Sequence, residues 1–303
     1  MKVSVVIPTK NRQELILPLV KNLLEQDLPP YEIIIVDQTE FPLDFNLLHK
    51  IKINANPKVF INYIHNPSLS GVTAAKNLGV QATTGDIILF LDDDIYLYPD
   101  FIRQIVSTYQ MYPEIGGVSG VQVQEQKRSA FEIILFCLFH RGPFKEPSRY
   151  IHKFWYRFKA PILGVVSTSG GISSYRREVF KDYLFDENLK GYALGNDFDF
   201  PYRCSKKFLL AINPLARAIH FKLSKGEWSM PKHYKDKVFF SFYFYRKNVN
   251  KTIKNYFYFF MCQVSIILES IWACVEHSSF LPFTSTAKAY FQYFFDKSET
   301  FGL

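Results

Sequence analysis

Apolar positions in the first part of the chain fall into short unbroken runs separated by helical stripes. Residues 3–8, VSVVIP, form a β-branched run closed by Pro8. A run without alternation fits a strand covered on both faces, as in a parallel sheet. Residues 12–26 space Leu15, Leu19, Leu23 and Leu24 as a helix does. Residues 32–36, EIIIV, predict a second strand ending at Asp37, and the alternating KVFINYI at 58–64 predicts a third. Residues 70–82 read as a helix with Ser70 as its N-cap. Thr84-Gly85 breaks the chain before a fourth strand, DIILFL at 86–91, which runs into Asp92, Asp93 and Asp94. Pro99 opens a helix over 99–111, in the favoured first-turn position.

This alternation predicts βαβ units and a mostly parallel, doubly wound central sheet flanked by helices, an α/β fold. Ligands of such sheets bind beyond the carboxyl ends of the strands. Thr9, Asp37 and the aspartate triplet all stand at such ends. Later elements are fainter: a strand at 116–124, a strand-like piece at 164–175 around Gly170-Gly171, and a short helix at 176–183. A helix follows at 195–207, then a segment at 209–220 ending at His220. Residues 129–160, aromatic and basic without periodicity, read as a lid or acceptor-facing insertion.

The tail changes character. Lys222, Lys225, Lys232, Lys235, Lys237, Arg246, Lys247, Lys251 and Lys254 crowd one stretch opposed only by Glu227 and Asp236, so much of the +8 net charge is C-terminal. Much of the 17% aromatic content falls in Phe239 to Phe260 beside it, which points to a lipid interface. Residues 256–275 approach the length of a bilayer span. Gln263 and Glu269 oppose an easy crossing, because a carboxylate at the bilayer centre costs about 2.5 kcal/mol or more. A helix packed on the protein or lying in the interface is expected. Two domains follow: 1–222, and a helical, aromatic and basic extension at 223–303. Trp228, in a Lys/Gly-rich loop, is a candidate lid aromatic. Cys137, Cys204, Cys262 and Cys274 form no CxxC or Cys/His cluster, which suits a reducing compartment without structural zinc. Met1 to Pro8 already reads as a strand rather than a leader, so a cytoplasmic location is expected, peripheral at the inner face of the membrane.

The triplet after an apolar strand carries the sharpest chemistry. Hard cations take oxygen ligands, and Mg²⁺ commonly uses one or two carboxylates plus substrate phosphates. Three buried carboxylates without a cation or strong donors are costly. A solvated loop with one capping aspartate is the bland alternative.

Several segments together resemble an inverting family 2 glycosyltransferase with the Rossmann-like GT-A fold. They are VSVVIPTKNR at 3–12, IIIVDQT at 33–39, GVTAAKNLGVQATTGDIILFLDDD at 71–94, GGISSYRREVF at 170–180 and FDENLKGYALGNDFDFPYR at 185–203. The resemblance covers about the first 220 residues. It implies that Pro8, Thr9 and Asp37 line the nucleoside pocket, with Asp37 accepting from the base. Asp92 would lie by the ribose, with Asp93 beside it in the donor site. Asp94 would reach a divalent cation, Mg²⁺ or Mn²⁺, that bridges the diphosphate. His220 would assist that metal, Lys76 stands where arginine is common and would contact the donor phosphate, and Asp197 would be the catalytic base. Asp199 is a rival base, or a partner of Arg203. Asn196 replaces the usual glutamate, and no QxxRW motif follows, which favours single-sugar addition. The implied partners are a nucleoside-diphosphate sugar and a saccharide or lipid-linked saccharide acceptor, in bacterial surface polysaccharide or glycolipid assembly at an anionic membrane surface.

Other classes fit less well. A nucleotidyltransferase usually carries a Gly-rich basic loop after its first strand, and IPTKNRQEL has no glycine. A non-catalytic sugar-nucleotide-binding module is favoured only by Asn196. A nucleic-acid binder is suggested by charge alone, with no reader motif.

Overall fold

The computed structural model describes residues 1–44, 46, 50, 58–123, 137–221 and 229–295. The chain divides into two compact units, Met1–Glu125 with Pro147–Gly226, and Gln126–Glu146 with Glu227–Leu303. Among the described residues, 137–146 group with the C-terminal helices. Packing explains it. Phe144 stacks on Tyr245 and lies edge-on to Phe244, and His140 meets Ser265 at 3.1 Å. The insertion expected at 129–160 is thus split between the units, and its residues 129–136 lie outside the described residues, as does Trp228.

The first unit is built on a nine-stranded sheet in the order β3-β2-β1-β4-β8-β6-β9-β5, with β7 paired to β9. The strands are β1 (Val3–Thr9), β2 (Glu32–Asp37), β3 (Phe60–His65), β4 (Ile87–Leu91), β5 (Ile95–Leu97), β6 (Ile115–Gln122), β7 (Ile162–Leu163), β8 (Ile172–Arg176) and β9 (Leu209–His220). The parallel character expected from the alternation holds for β3-β2-β1-β4. Strands β8, β5 and β7 enter antiparallel, which makes the sheet mixed. Strand β5 has only three residues, too few to show as a run of their own.

The unbroken apolar runs are explained by two cores, one on each face of the sheet. Val5, Ile7, Ile33, Ile35, Ile87 and Leu89 pack with α1 (Ile16–Leu24) and α3 (Phe101–Met111). Val6, Ile34, Val36, Ile88 and Phe90 pack on the other face with α2 (Val72–Ala82) and α5 (Asn196–Cys204). Each such side chain, fully buried, contributes about 1.5–3 kcal/mol over exposure. Phe90, just before the triplet, is boxed by Phe180 and Phe185, and Phe185 stacks on Phe200 at 4.1 Å. That box fixes the end of β4.

Helix α2 is not capped by Ser70. Its cap is Gly71, at φ 102, whose position allows backbone contact with Gly191. A Cβ there would stand 2.5 Å from Gly191 N, so only glycine fits. Between β6 and β7 the chain forms the short helix α4 (Pro147–Lys153).

The second unit contains α6 (Met230–Asn248), α7 (Ile253–Glu276) and α8 (Leu281–Phe295). Phe239, Phe242, Tyr243, Phe244 and Tyr245 of α6 are buried. Helix α7 is long and apolar enough to cross a membrane by length and composition. Its polar residues turn inward: Glu269 pairs with Lys237 and accepts from Ser265, and Gln263 accepts from Tyr290 at 2.8 Å. Its outward face carries Ile253, Phe257, Phe260 and Ile271. All four cysteines are free thiols.

Candidate active site

The register of the sheet gathers the site. Thr9 pairs with Asp37 at the carboxyl ends of β1 and β2, and β4 ends beside them at Leu91. Because β8 runs antiparallel to β4, Gly170 and Gly171 precede the β8 residue opposite Leu91, Ile172. The β5–β9 pairing sets His220 opposite Ile95, next to Asp94.

Asp37 is fully buried and accepts from Tyr63 Oη at 2.7 Å, Gln13 Nε2 at 2.8 Å and the Thr39 N–H at 2.8 Å. The Gln13 amide also donates to the Phe41 carbonyl at 2.9 Å. Pro8 lies within β1, in register with Val36.

The three aspartates of the triplet have different surroundings. Asp92 carries its carboxylate over Gly171, where a Cβ would stand 2.2 Å from Oδ2. Burial raises its pKa, opposed by the charge of Lys76. Asp93 accepts from Thr9 Oγ1 at 2.8 Å and from Arg12 Nη1 at 3.0 Å. Burial nevertheless pushes it up to about 6, with Thr9 and Arg12 pulling the other way. Asp94 has His220 Nε2 at 2.9 Å from Oδ1 and Arg12 Nη1 at 3.4 Å from Oδ2. Ligand atoms of Asp92, Asp94 and His220 lie within 4.8 Å of one another. Two carboxylates and an imidazole fit a divalent cation of the Mg²⁺ or Mn²⁺ kind. The central Asp93 is outside that group and faces Thr9 and Arg12 instead.

Asp197 stands on the first turn of α5, after Gly195 at φ 87. Its Oδ2 would be 2.1 Å from a Cβ on Gly170. The two glycines therefore leave room for two carboxylates, Asp197 over one and Asp92 over the next. Lys76, with a side chain 3% exposed, donates to Asn196 Oδ1 at 2.8 Å and to Asp197 Oδ1 at 3.3 Å. The structure thus puts Lys76 on the Asp197 side of the site. The Asp197 side chain is 42% exposed and open to a substrate. The rival Asp199 is 1% exposed and held by Arg203 Nε at 2.8 Å.

Sequence reasoning missed Arg12, Gln13 and Tyr63. The signal for Arg12 was there: Asn11 stands two residues after the end of the strand and Asn tolerates positive φ. At φ 57 it turns the chain so that Arg12 faces the triplet. Tyr63 gave no signal, because its partner is read only from the β2–β3 register.

Known structures share this architecture. A mannosyltransferase of Pyrobaculum calidifontis, solved with GDP-mannose and Mn²⁺, superposes with TM-score 0.61 at 16% identity, covering 95% of this chain and 73% of that one. Staphylococcus aureus TarS residues 1–349, solved with UDP-GlcNAc, gives TM-score 0.54 at 16% identity, covering 88% and 71%. The fold is that of the GT-A-type glycosyltransferases. The chain belongs to glycosyl transferase family 2, whose family model matches residues 4–184. Among its relatives, an uncharacterized glycosyltransferase of Bacillus subtilis is 28% identical over 75% of this chain and 76% of its own length. A putative colanic acid biosynthesis glycosyl transferase of Escherichia coli is 26% identical over 82% of each.

Proposed function

We propose that this enzyme moves one sugar from a nucleoside diphosphate to an acceptor hydroxyl, with inversion at the anomeric carbon and with Mg²⁺ or Mn²⁺ as cofactor. One observation carries the reading. A cation-binding group, Asp92, Asp94 and His220, and a separate solvent-facing carboxylate, Asp197, flank the same pair of glycines. Leaving-group stabilisation and proton removal need such a division. The nucleotide sugars held by the two solved neighbours support a donor of this class.

Asp92, Asp94 and His220 would hold the cation, which as a Lewis acid offsets charge growing on the departing diphosphate. Asp197 takes the proton of the attacking hydroxyl. The acceptor oxygen attacks the anomeric carbon opposite the leaving group, so the centre inverts. Lys76 fixes Asp197 in place, and Asn196 fixes Lys76 without adding a second negative charge. Asp37, with Pro8 and Thr9 on the neighbouring strand, bounds the nucleoside side.

The test is thermal stabilisation by a panel of nucleotide sugars with Mn²⁺, with and without EDTA. A shift with one nucleotide-sugar class, lost with EDTA, is expected. A shift with nucleoside triphosphates alone would replace glycosyl transfer by nucleotidyl transfer.

The acceptor proposed is a lipid-linked saccharide at the cytoplasmic leaflet, in assembly of a surface polysaccharide or glycolipid. Support comes from the second unit. Phe260 is 62% exposed and Ile253 90% exposed on α7, Phe291 and Phe295 are exposed on α8, and Lys254 and Lys288 lie among them. Apolar residues outside and polar pairs inside suit an interfacial helix, and anionic lipid adds about 1 kcal/mol per nearby lysine. The full chain should float with anionic vesicles at low salt. Failure to float removes the membrane from this reading but leaves the transfer chemistry.

A further inference from the structure

We propose that Arg12 is the resident counter-ion of the acidic triplet, releasing Asp94 and turning to the donor's diphosphate when metal and donor bind. The inference rests on the metal reading above.

A single nitrogen of Arg12 bridges two carboxylates, Asp93 at 3.0 Å and Asp94 at 3.4 Å. The two contacts are unequal in kind. Asp93 is outside the Asp92, Asp94 and His220 group and is also held by Thr9. Asp94 is a member of that group, and its side chain is 3% exposed. A cation entering there takes over the charge that Arg12 supplies to Asp94, and repels the guanidinium as a like charge. The Asp93 contact survives, so Arg12 pivots about Asp93 rather than leaving the site.

The geometry permits that pivot. Arg12 is 23% exposed at its side chain and follows Asn11, itself exposed at φ 57. The donor diphosphate must lie against the cation, within reach of a long side chain anchored one residue along the triplet. A guanidinium presents a planar fork that matches phosphate oxygens in pairs. Arg12 therefore opposes the metal when it binds alone and assists when metal and diphosphate bind together. By linkage it strengthens the coupling between the two ligands.

The experiment measures Mn²⁺ binding to the nucleotide-free full chain by electron paramagnetic resonance, then UDP and GDP binding at saturating Mn²⁺ by calorimetry. In Arg12→Gln, Mn²⁺ alone should bind about tenfold tighter, while the preferred diphosphate binds about tenfold weaker, as expected for one charge-assisted contact. Opposite changes exclude a merely structural role, which would weaken both. Arg12→Lys keeps the charge but not the fork. It should hold Mn²⁺ affinity near that of the parent and lose diphosphate affinity, and it carries the test if Arg12→Gln does not fold. Unchanged or weaker Mn²⁺ binding in Arg12→Gln overturns the inference while leaving the metal reading intact. Absence of Mn²⁺ binding in every protein, the parent included, overturns both.

Discussion

The two ends of the central sheet hold buried carboxylates in opposite electrical condition. At the amino end, Glu32 of β2 accepts from Ser4 Oγ at 2.6 Å and from the backbone and hydroxyl of Thr84 and the N–H of Gly85. Those donors hold its pKa below the usual value of 4.5, although burial alone would raise it. At the carboxyl end, Asp92 and Asp93 are pushed upward by burial that Lys76, Thr9 and Arg12 do not fully offset. One end is finished as it stands; the other is short of positive charge. On the proposed function, the difference separates a carboxylate that ties strands together from carboxylates that border the donor site. Active sites are where such unfinished electrostatics collect.

The largest effect should come from removing the carboxylate that faces solvent across the glycine pair. Asp197→Asn keeps the shape and hydrogen-bonding reach but not the basicity. Turnover should fall by about 10²–10⁴-fold, the usual worth of general base catalysis. Nucleotide-sugar affinity should change by less than about threefold, since the cation group is untouched. Steady-state kinetics with equilibrium donor binding read both. A variant with parental turnover would remove Asp197 from the mechanism. Asp199 could not easily inherit the role, being buried against Arg203.

How much of this contrast was legible in the chain depends on how far apart the partners are. The strands of the parallel half were legible because both faces are covered, so β1, β2 and β4 read as unbroken apolar runs. The triplet was legible because three carboxylates after such a run have few structural uses. What lay hidden was pairing at a distance. Ser4, Thr84 and Gly85 converge on Glu32 only through strand order, and nothing in EIIIV announces it. Helix α2 presents Lys76 to Asn196 and Asp197, 120 and 121 positions away. In the second unit, Gln263 and Glu269 showed as polar interruptions of an apolar helix. Their partners Tyr290, Lys237 and His140 come from other elements. The partners of Phe144 were hidden for the same reason, since an aromatic does not show in the sequence which aromatics it will meet.

The comparison is sharpest as a pair of isosteric substitutions followed against pH in metal-free protein. Glu32→Gln should destabilise by about 2 kcal/mol at neutral pH, because a buried acceptor of several donors loses its charge and one acceptor oxygen becomes a donor. Asp93→Asn should be smaller and of opposite sign, a gain of about 1 kcal/mol, as expected where a site strained for function is relaxed. The signs follow from linkage. The folded pKa of Glu32 lies below 4.5, so the unfolded chain binds the proton more readily. Its stabilisation is present above 4.5 and is lost as pH falls through the lower folded value. Asp93 is reversed: with a folded pKa of about 6 against an ordinary 3.8, the native state binds the proton more readily. The parent should gain stability on this account as pH falls through 6 towards 3.8, and Asp93→Asn should lose that gain. Denaturant unfolding at pH 7.5, 5.5 and 4 in EDTA reads both slopes. If Asp93→Asn destabilises at pH 7.5, the ion pair with Arg12 outweighs the burial of the charge, and the carboxyl end is as finished as the amino end.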